Sequence, residues 1–516
     1  MVVDQPFLES MIWDFAPISR QYEVFGGQKI VLPQTPWTVW SDSSFARRVG
    51  VSMPYMAGAM ANGIAGVDLV SSLAECDMLA SYGAAGLTLE RVKKDIALIR
   101  SRVGAKPFCV NLIHSPSEPK WEMGLVEHLC EQELRLVEAS AFMALTLPLI
   151  RYRLTGIHKG QDGKVIAPNQ IIAKVSRTEL AEKFMQPAPE AMIKNCLEMG
   201  WISSEQADLA RYVPVADMIT AEADSGGHTD NRASFSLIPM MSMLRARMQQ
   251  IHAYRDEILI GAAGGIATPQ AVCAAMTMGA DYVVTGSINQ ACVQASTSQA
   301  VKQMLAAAQQ ADMAMAPAAD MFEMGIKVQV LKRGTMFPMR AQKLFDAYRS
   351  YDAIDQLPDD LKRQFETQFF RQPLEGVWED TQSYFMERDP DLLERARKNE
   401  KLKMALIFRS YLGRASNWAN AGEKTRIMDY QVWCGPAMAA FNAWTRGSFM
   451  ELPENRCAFL LGQNLMAGAL ALTRANIIKA QGINVSQSSL DLCVRPKTLD
   501  DLNAITAVTL NKESKD

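Results

Sequence analysis

Eight short apolar runs recur along the first part of the chain, and segments of helical composition and period separate them. Runs of this length without polar alternation are typical of strands buried on both faces of a parallel sheet. Parallel strands need helical crossovers, and eight right-handed βαβ units favour a closed (β/α)₈ TIM barrel, an α/β fold, over an open sheet. The predicted strands are residues 53–58, 84–87, 108–113, 139–144, 171–175, 218–221, 258–262 and 282–284.

The chain has 516 residues, which is more than one hydrophobic core supports, so we expect two or three domains. Aromatic residues among prolines and glycines indicate an N-terminal cap over residues 1–50. The barrel is predicted at 51–297, with a helical insertion at 177–214 as a lid over the catalytic end. Residues 298–484 are predicted to form an α-helical substrate or lid domain, and residues 485–516 a loosely ordered tail.

The composition excludes several classes of protein. A net charge of −3 and a pI near 6.1 argue against binding to nucleic acid or to a membrane surface. The nine cysteines form no CxxC pair, the first residues lack the pattern of a secretory signal, and no apolar run approaches about 18 residues. We therefore expect a cytoplasmic protein with reduced thiols, no metal site, and neither a nucleic-acid nor a membrane partner.

The segment AEADSGGHTDNR, residues 221–232, carries the strongest chemical signal. It follows an apolar, partly β-branched run, so it is predicted to be a turn that presents His228 at the carboxyl end of a strand. Gly226 and Gly227 would let the backbone approach a flat ligand closely. The neighbouring Asp224, Asp230 and Asn231 could orient the imidazole or hydrogen-bond a substrate. The alternative is a polar surface loop with one histidine.

Two glycine turns follow the last two predicted strands, GAAGGIATPQA at 261–271 and VVTGSINQ at 283–290. The loops after strands seven and eight are the usual phosphate site of a (β/α)₈ barrel. Backbone amides and helix N-termini can hold a phosphate dianion without a lysine. The amides predicted to do so belong to Gly264, Gly265, Gly286 and Ser287; ordinary tight turns are the alternative.

A third signal is the exit of the first strand, where the small residues Ala57, Gly58 and Ala59 would leave room for a planar ring. Asn111 could hydrogen-bond such a ring, and Lys174 could stabilise negative charge on a reduced isoalloxazine. Ser176, just beyond the same strand as Lys174, completes the predicted cofactor-binding residues. Each position also has an ordinary structural explanation, such as a lysine that reaches solvent. A phosphate cradle, a flat-ring site and a nearby histidine together predict an FMN enzyme.

The same segments resemble a known family. MAGAMANGI, VNLIHSPSEP, EADSGGHTDNR, GAAGGI, VVTGSINQ, MAPAADMFEMGIKVQVLKRGTMFPMRA and DYQVWCGPAMAAFNAW are similar to the PfaD-type trans-acting enoyl reductases, over about residues 50–482. The barrel also resembles flavin-dependent bacterial enoyl reductases and nitronate monooxygenases. In those proteins the acidic residue before GGH is typically Glu, whereas Asp224 stands two residues before Gly226 here.

The resemblance implies an FMN enzyme that takes hydride from NADPH and reduces enoyl thioesters on an acyl carrier protein. A polyketide pathway is favoured over a polyunsaturated fatty acid synthase, and a homodimer is considered. His228 is the predicted proton donor or enolate stabiliser, with Lys174 as the rival donor. A nitronate monooxygenase and an inactive docking scaffold are the alternatives. A run of basic residues is a candidate docking patch for the acidic carrier: Lys327, Lys332, Arg333, Arg340 and Lys343.

Overall fold

The computed structural model describes residues 5–15, 19–24, 28–33, 37–114 and 119–505. Its strands are β1 (Arg20–Val24), β2 (Gln28–Leu32), β3 (Tyr55–Ala57), β4 (Leu79–Tyr82), β5 (Cys109–Ile113), β6 (Leu136–Ser140), β7 (His158–Lys159), β8 (Val165–Ile166), β9 (Gln170–Val175), β10 (Met218–Glu222), β11 (Gly227–His228), β12 (Leu259–Ala263), β13 (Tyr282–Thr285), β14 (Met313–Pro317) and β15 (Lys327–Leu331).

The α-helices alternate with the barrel strands and then continue alone. They are α1 (Gln5–Ile12), α2 (Ser44–Val49), α3 (Val67–Glu75), α4 (Leu89–Val103), α5 (Pro119–Glu131), α6 (Leu147–Leu154), α7 (Thr178–Met185), α8 (Glu190–Glu198), α9 (Ser204–Leu209), α10 (Ser234–His252), α11 (Pro269–Thr277), α12 (Ser287–Gln290), α13 (Gln299–Ala306), α14 (Phe337–Ser350), α15 (Asp359–Gln364), α16 (Leu374–Arg388), α17 (Pro390–Arg397), α18 (Glu400–Ala421), α19 (Ala437–Thr445), α20 (Ala458–Ala480) and α21 (Gln487–Cys493).

Eight parallel strands close into the predicted (β/α)₈ barrel, in the order β3, β4, β5, β6, β9, β10, β12, β13. The ring is completed where β13 pairs with β3, with Val283 opposite Tyr55. The fold class predicted from the sequence is confirmed.

One apolar side chain from each barrel strand fills the lower interior. These are Met56, Leu79, Cys109, Leu136, Ile172, Met218, Leu259 and Tyr282, and all are buried. Phe45 of α2 plugs the amino end, with its ring stacked on that of Tyr282 at 4.4 Å between centroids. Because side chains alternate along a strand, the residues two positions further on also point inward, one layer higher.

The predictions for the second and fourth strands are wrong in position. The second strand ends at Tyr82 instead of spanning 84–87, and the fourth spans Leu136–Ser140 instead of 139–144. Both strands carry buried polar residues that interrupt the apolar pattern. Tyr82 donates a hydrogen bond to Asp95 at 2.7 Å, and Glu138 points into the barrel.

The region after residue 297 was predicted to be helical, and it contains a sheet as well. The strands β14 and β15 pair with each other, and β15 also pairs with β11, which follows the barrel strand β10, placing His228 opposite Val328. Helices α14 to α18 enclose a second apolar core that includes Phe337, Phe365 and Tyr411. The buried carboxylate of Asp429 ties these helices together, because it accepts hydrogen bonds from Arg340, Arg426 and Tyr411.

Elements near the beginning and the end of the described chain pack on each other beside the barrel. Arg474 of α20 donates to the carbonyl of Met11, and the indole of Trp13 donates to the carbonyl of Cys493. Within the predicted C-terminal tail, residues 487–493 form α21, which takes part in this contact, and residues 506–516 lie outside the described part. None of the helices in the described ranges combines the length and apolar character needed to cross a membrane.

The plug at the amino end of the barrel yields a stability prediction. Phe45→Ala would leave a cavity below Tyr282, so we expect the free energy of unfolding to fall by about 3–5 kcal/mol. Phe235→Ala is the matched control, because Phe235 is 77% exposed and its loss should change stability by about 0.5 kcal/mol or less. Urea unfolding followed by circular dichroism measures both, and equal midpoints for the two variants would contradict the assigned role of the plug.

Candidate active site

A cavity of about 950 Å³ opens at the carboxyl ends of the barrel strands, where (β/α)₈ enzymes carry their active sites. Nearly all of the site residues predicted from the sequence line it: Gly58, Ala59, Asn111, Lys174, Ser176, Gly227, His228, Gly264, Gly265, Gly286 and Ser287. Ala57 is the exception. Its side chain is fully buried in the core and does not line the cavity, so its contact with a cofactor stays a prediction.

The cover of the cavity differs from the predicted lid. Only the start of the insertion reaches the cavity, through Arg177, Glu179, Leu180 and Lys183. The helices α8 and α9 lead away from it, and the guanidinium of Arg151 on α6 lies 4.9 Å from the ring centroid of Trp201 between them. Residues of α16, α17 and α18 form the outer wall instead, so the helical domain covers the barrel mouth.

Lys174 lies at the floor of the cavity between two carboxylates. Its Nζ is 3.5 Å from Glu222 Oε1 and 3.9 Å from Glu138 Oε1. Burial alone would lower the pKa of Lys174, but the charges of Glu222 and Glu138 outweigh it and raise the pKa above the ordinary value. The site therefore holds a fixed ammonium ion at neutral pH.

Glu138 also organises the exit of the first strand. Its Oε2 accepts a hydrogen bond from the amide of Ala59 at 2.9 Å, and its backbone carbonyl accepts one from Asn111 Nδ2 at 3.0 Å. A side chain on Gly58 would clash, since its Cβ would come within 2.9 Å of Val284. The small residues at this exit are thus required by close packing as well as by any ligand above them.

The two glycine turns present backbone amides to the cavity. Gly265 has φ +77°, a left-handed conformation that favours glycine, and a Cβ on Gly265 or Gly286 would meet no atom within 4 Å. In the ranges that the structure describes, the amides of Gly265, Gly286 and Ser287 donate no hydrogen bond within the chain. These open, unpaired donors fit a phosphate group.

The GGH turn is held by a close backbone crossing. A Cβ on Gly226 would lie 2.9 Å from the carbonyl carbon of Cys434, and a Cβ on Gly435 would lie 2.7 Å from the nitrogen of Gly226. The amide of Gly435 donates to Ser287 Oγ at 3.1 Å, so this hydroxyl supports the crossing, whereas the amide of Ser287 remains open. The segment CGPA therefore fixes both the histidine turn and the second glycine turn.

His228 forms an ion pair with Asp320 across the barrel boundary. Its Nε2 lies 3.1 Å from Asp320 Oδ1, and 39% of its side chain is exposed, facing the cavity that it lines. Burial would lower the pKa of His228, but the hydrogen bond and charge of Asp320, helped by Glu222, raise it above the ordinary value. The same pair lowers the pKa of Asp320, and this effect outweighs the partial desolvation that would raise it. The arrangement favours an imidazolium ion.

The three polar neighbours of His228 do not orient its ring as predicted. Asp224 accepts hydrogen bonds from Asn231 and Gln329, both at 2.7 Å, which holds the turn against β15. Asp230 binds Arg177 and Ser176; the hydrogen bond from Arg177 lowers the pKa of Asp230 to about 2. The hydroxyl of Ser176 is thus engaged by the protein.

The predicted basic patch is not one free surface. Arg340 is paired with the buried Asp429, Arg333 with Asp312, and Lys343 contacts Gln364. Lys327 lies at the cavity, while Lys332 is exposed. Sequence reasoning also missed Glu138, Glu222 and Asp320. Glu138 and Glu222 could have been found by asking which alternate residues of β6 and β10 face the barrel interior. Asp320 could not, because it lies 92 residues from its partner His228.

Comparison with known proteins identifies the family. Residues 46–356, more than half of the chain, match the family model for nitronate monooxygenase. Residues 351–430 match the inserted helical domain of [acyl-carrier-protein] S-malonyltransferase. The solved enoyl reductase domain of MlnA, from the macrolactin biosynthesis cluster of Bacillus amyloliquefaciens, matches with a TM-score of 0.81 and 36% identity. This match covers 85% of the chain and 99% of the MlnA domain.

Curated relatives agree with this placement. A polyunsaturated fatty acid synthase component of Thraustochytrium is 42% identical over 92% of the chain. The polyketide biosynthesis protein PksE of Bacillus subtilis is 41% identical over 83%. The chain spans only 32% and 56% of the length of these two relatives. The resemblance seen in the motifs is confirmed: the chain belongs to the nitronate monooxygenase family, and it is similar to the enoyl reductase domain of MlnA over nearly the whole of that domain.

Proposed function

We propose that this protein is an FMN-dependent enoyl reductase that acts in trans on enoyl thioesters of an acyl carrier protein, with NADPH as hydride source. The observation that carries the proposal is the single cavity that joins open glycine amides, a fixed ammonium ion and an imidazole paired with a carboxylate. The likeness to the MlnA enoyl reductase domain supports the reaction. Polyketide biosynthesis is the proposed pathway; fatty acid synthesis is the alternative, because identities of 41% and 42% do not separate the two.

The residues present fit FMN. The amides of Gly265, Gly286 and Ser287 would hold its phosphate, and the pocket above Gly58 and Asn111 would take its ring. When bound, FMN would supply hydride transfer between NADPH and the substrate. Lys174 would place positive charge at the edge of the ring, and Glu138 and Glu222 keep that charge in position.

His228 would supply the proton. Reduction of an enoyl thioester adds hydride at the β-carbon and a proton at the α-carbon, so the site needs a proton donor on the substrate side. Asp320 holds Nε2, and within the described part of the chain Nδ1 has no partner, which leaves Nδ1–H to face a substrate. After the proton leaves, water that enters the half-exposed site can reprotonate the imidazole.

A second candidate function is that of a nitronate monooxygenase, which the family match over 46–356 favours. It would use the same flavin and histidine with oxygen as oxidant. The long helical domain has no evident use in that reaction, and it resembles a domain of an acyl-carrier-protein transferase instead. Oxygen uptake with a nitronate, together with no turnover of crotonyl thioesters, would favour this candidate over the enoyl reductase.

The glycine cradle can be tested by its cofactor content. Gly265→Asp would put a carboxylate where the phosphate is expected, and like-charge repulsion should weaken FMN binding at least about tenfold, or about 1.4 kcal/mol. Gly163→Asp is the matched control, because Gly163 has φ +76° and open space around it but lies in a hairpin turn away from the cavity. Flavin released from the purified proteins is identified and counted; FAD in the wild type, or full FMN in Gly265→Asp, would refute the assignment.

His228 can be tested on each half of the reaction. His228→Ala should retain FMN and be reduced by NADPH at the normal rate, since that step needs no proton donor from the protein. Its oxidation by a crotonyl thioester should slow by about 10²–10⁴-fold. Anaerobic stopped-flow absorbance follows the two halves separately, with His252→Ala as the control outside the cavity. If Lys174→Ala blocks the second half and His228→Ala does not, Lys174 is the donor.

The ion pair predicts the pH dependence. The protonated form of His228 is active and is lost as pH rises through its pKa, which Asp320 raises. Asp320→Asn removes that charge, so the alkaline decline of kcat/KM should begin at a lower pH than in the wild type. Asp162→Asn, in the exposed hairpin turn, is the control. An unchanged alkaline limb in Asp320→Asn would show that His228 is not the titrating donor.

A further inference from the structure

A second histidine faces the same cavity. Of the five histidines in the chain, His114 and His228 line it. His114 follows β5, the third strand of the barrel, whereas His228 follows β10, the sixth. In a ring of eight strands, positions three apart lie on nearly opposite walls, so the two imidazoles approach the cavity from different sides.

A chain of partly buried hydrogen bonds fixes the ring of His114. Its Nδ1 lies 3.0 Å from Glu122 Oε2, and Glu122 is only 2% exposed. The other oxygen of Glu122 accepts the hydroxyl proton of Thr146, whose own oxygen accepts from the amide of Leu149. Glu122 therefore occupies Nδ1 of His114, and Nε2 is the ring nitrogen left to face a ligand.

Packing fixes the same ring from below. The imidazole stacks on Phe142 with 5.3 Å between centroids and 24° between planes, and Phe142 also lines the cavity. The preceding Ala141 has φ +60°, a conformation that is uncommon for a residue with a side chain and recurs at functional sites. The amide of His114 donates to the carbonyl of Ser140, which completes the anchoring. If His114 served only to link α5 to the start of α6 through Glu122, its ring would not need to face the cavity.

We propose that His114 is a further catalytic residue, which donates a hydrogen bond from Nε2 to the carbonyl oxygen of the reacting thioester. The inference rests on the proposed enoyl reduction. That reaction places negative charge on the thioester oxygen and a proton on the α-carbon, and one imidazole cannot serve both atoms at once. His228 gives up its proton to the carbon, while His114 keeps its own and stabilises the oxygen. To donate from Nε2 while Nδ1 donates to Glu122, the ring must carry a proton on both nitrogens. The carboxylate of Glu122, 3.0 Å from Nδ1, would balance the resulting positive charge.

The test compares two substitutions with a matched control. His114→Phe keeps a ring against Phe142 but removes the donor, and His114→Gln keeps a donor in a smaller side chain. His158→Gln is the control, because His158 is exposed in the β7–β8 hairpin. For each protein we would measure kcat and KM with a crotonyl-pantetheine thioester, the Kd of its saturated butyryl analogue by calorimetry, flavin content and the melting temperature.

We expect His114→Phe to lower kcat by about 10²–10³-fold, the usual effect of losing an oxyanion donor, with little change in the Kd of the butyryl analogue. His114→Gln should retain more activity than His114→Phe, and His158→Gln should match the wild type. Wild-type kcat in both His114 variants would overturn the proposal. So would a loss of flavin and melting temperature in both, which would assign a structural role. Absence of crotonyl turnover in the wild type would instead refute the proposed function.

Discussion

In a closed barrel, every second side chain of each strand must fit the same narrow interior, and this constraint positions the site. The lower layer is apolar and is sealed at the amino end by Phe45. The next layer contains Asn111, Glu138 and Lys174, each two residues beyond an apolar side chain of the same strand. The polar floor of the cavity is thus a direct consequence of strand register, and a shift of one residue in any strand would turn its polar group to the packing helices.

The cavity offers two separate kinds of group that can stabilise negative charge, namely backbone amides and an ammonium ion. The glycine turns offer neutral amides, whose donors are fixed by the backbone and need no counter-ion. The floor offers Lys174, whose charge is held between Glu138 and Glu222. Because the two groups of donors come from different strands, they suit the two ends of the proposed ligand, which has a phosphate at one end and a polar ring at the other.

The barrel and most residues that line its cavity could be predicted from the sequence. The strands β3, β5, β9, β10, β12 and β13 carry clear apolar runs, and the two glycine turns directly follow β12 and β13. The prediction failed where polar residues are buried. Tyr82 and Glu138 are polar, but each has hydrogen-bond partners inside the protein. The sequence pattern therefore predicted the wrong positions for β4 and β6, and Glu138 was missed. Asp320 could not be found from spacing at all. It reaches His228 only because β15 adds to β11, and such pairing depends on the folded chain, not on any local pattern.

The sheet that joins β11 to β15 also bears on modularity. The turn that carries His228 belongs by chain order to the barrel, yet its backbone partner, its carboxylate and the crossing at Gly435 all lie beyond residue 297. A barrel excised from this protein would lose the groups that shape its own histidine. Transfer of this barrel to another protein, or its fusion into a longer polypeptide, must therefore carry the helical domain along with it.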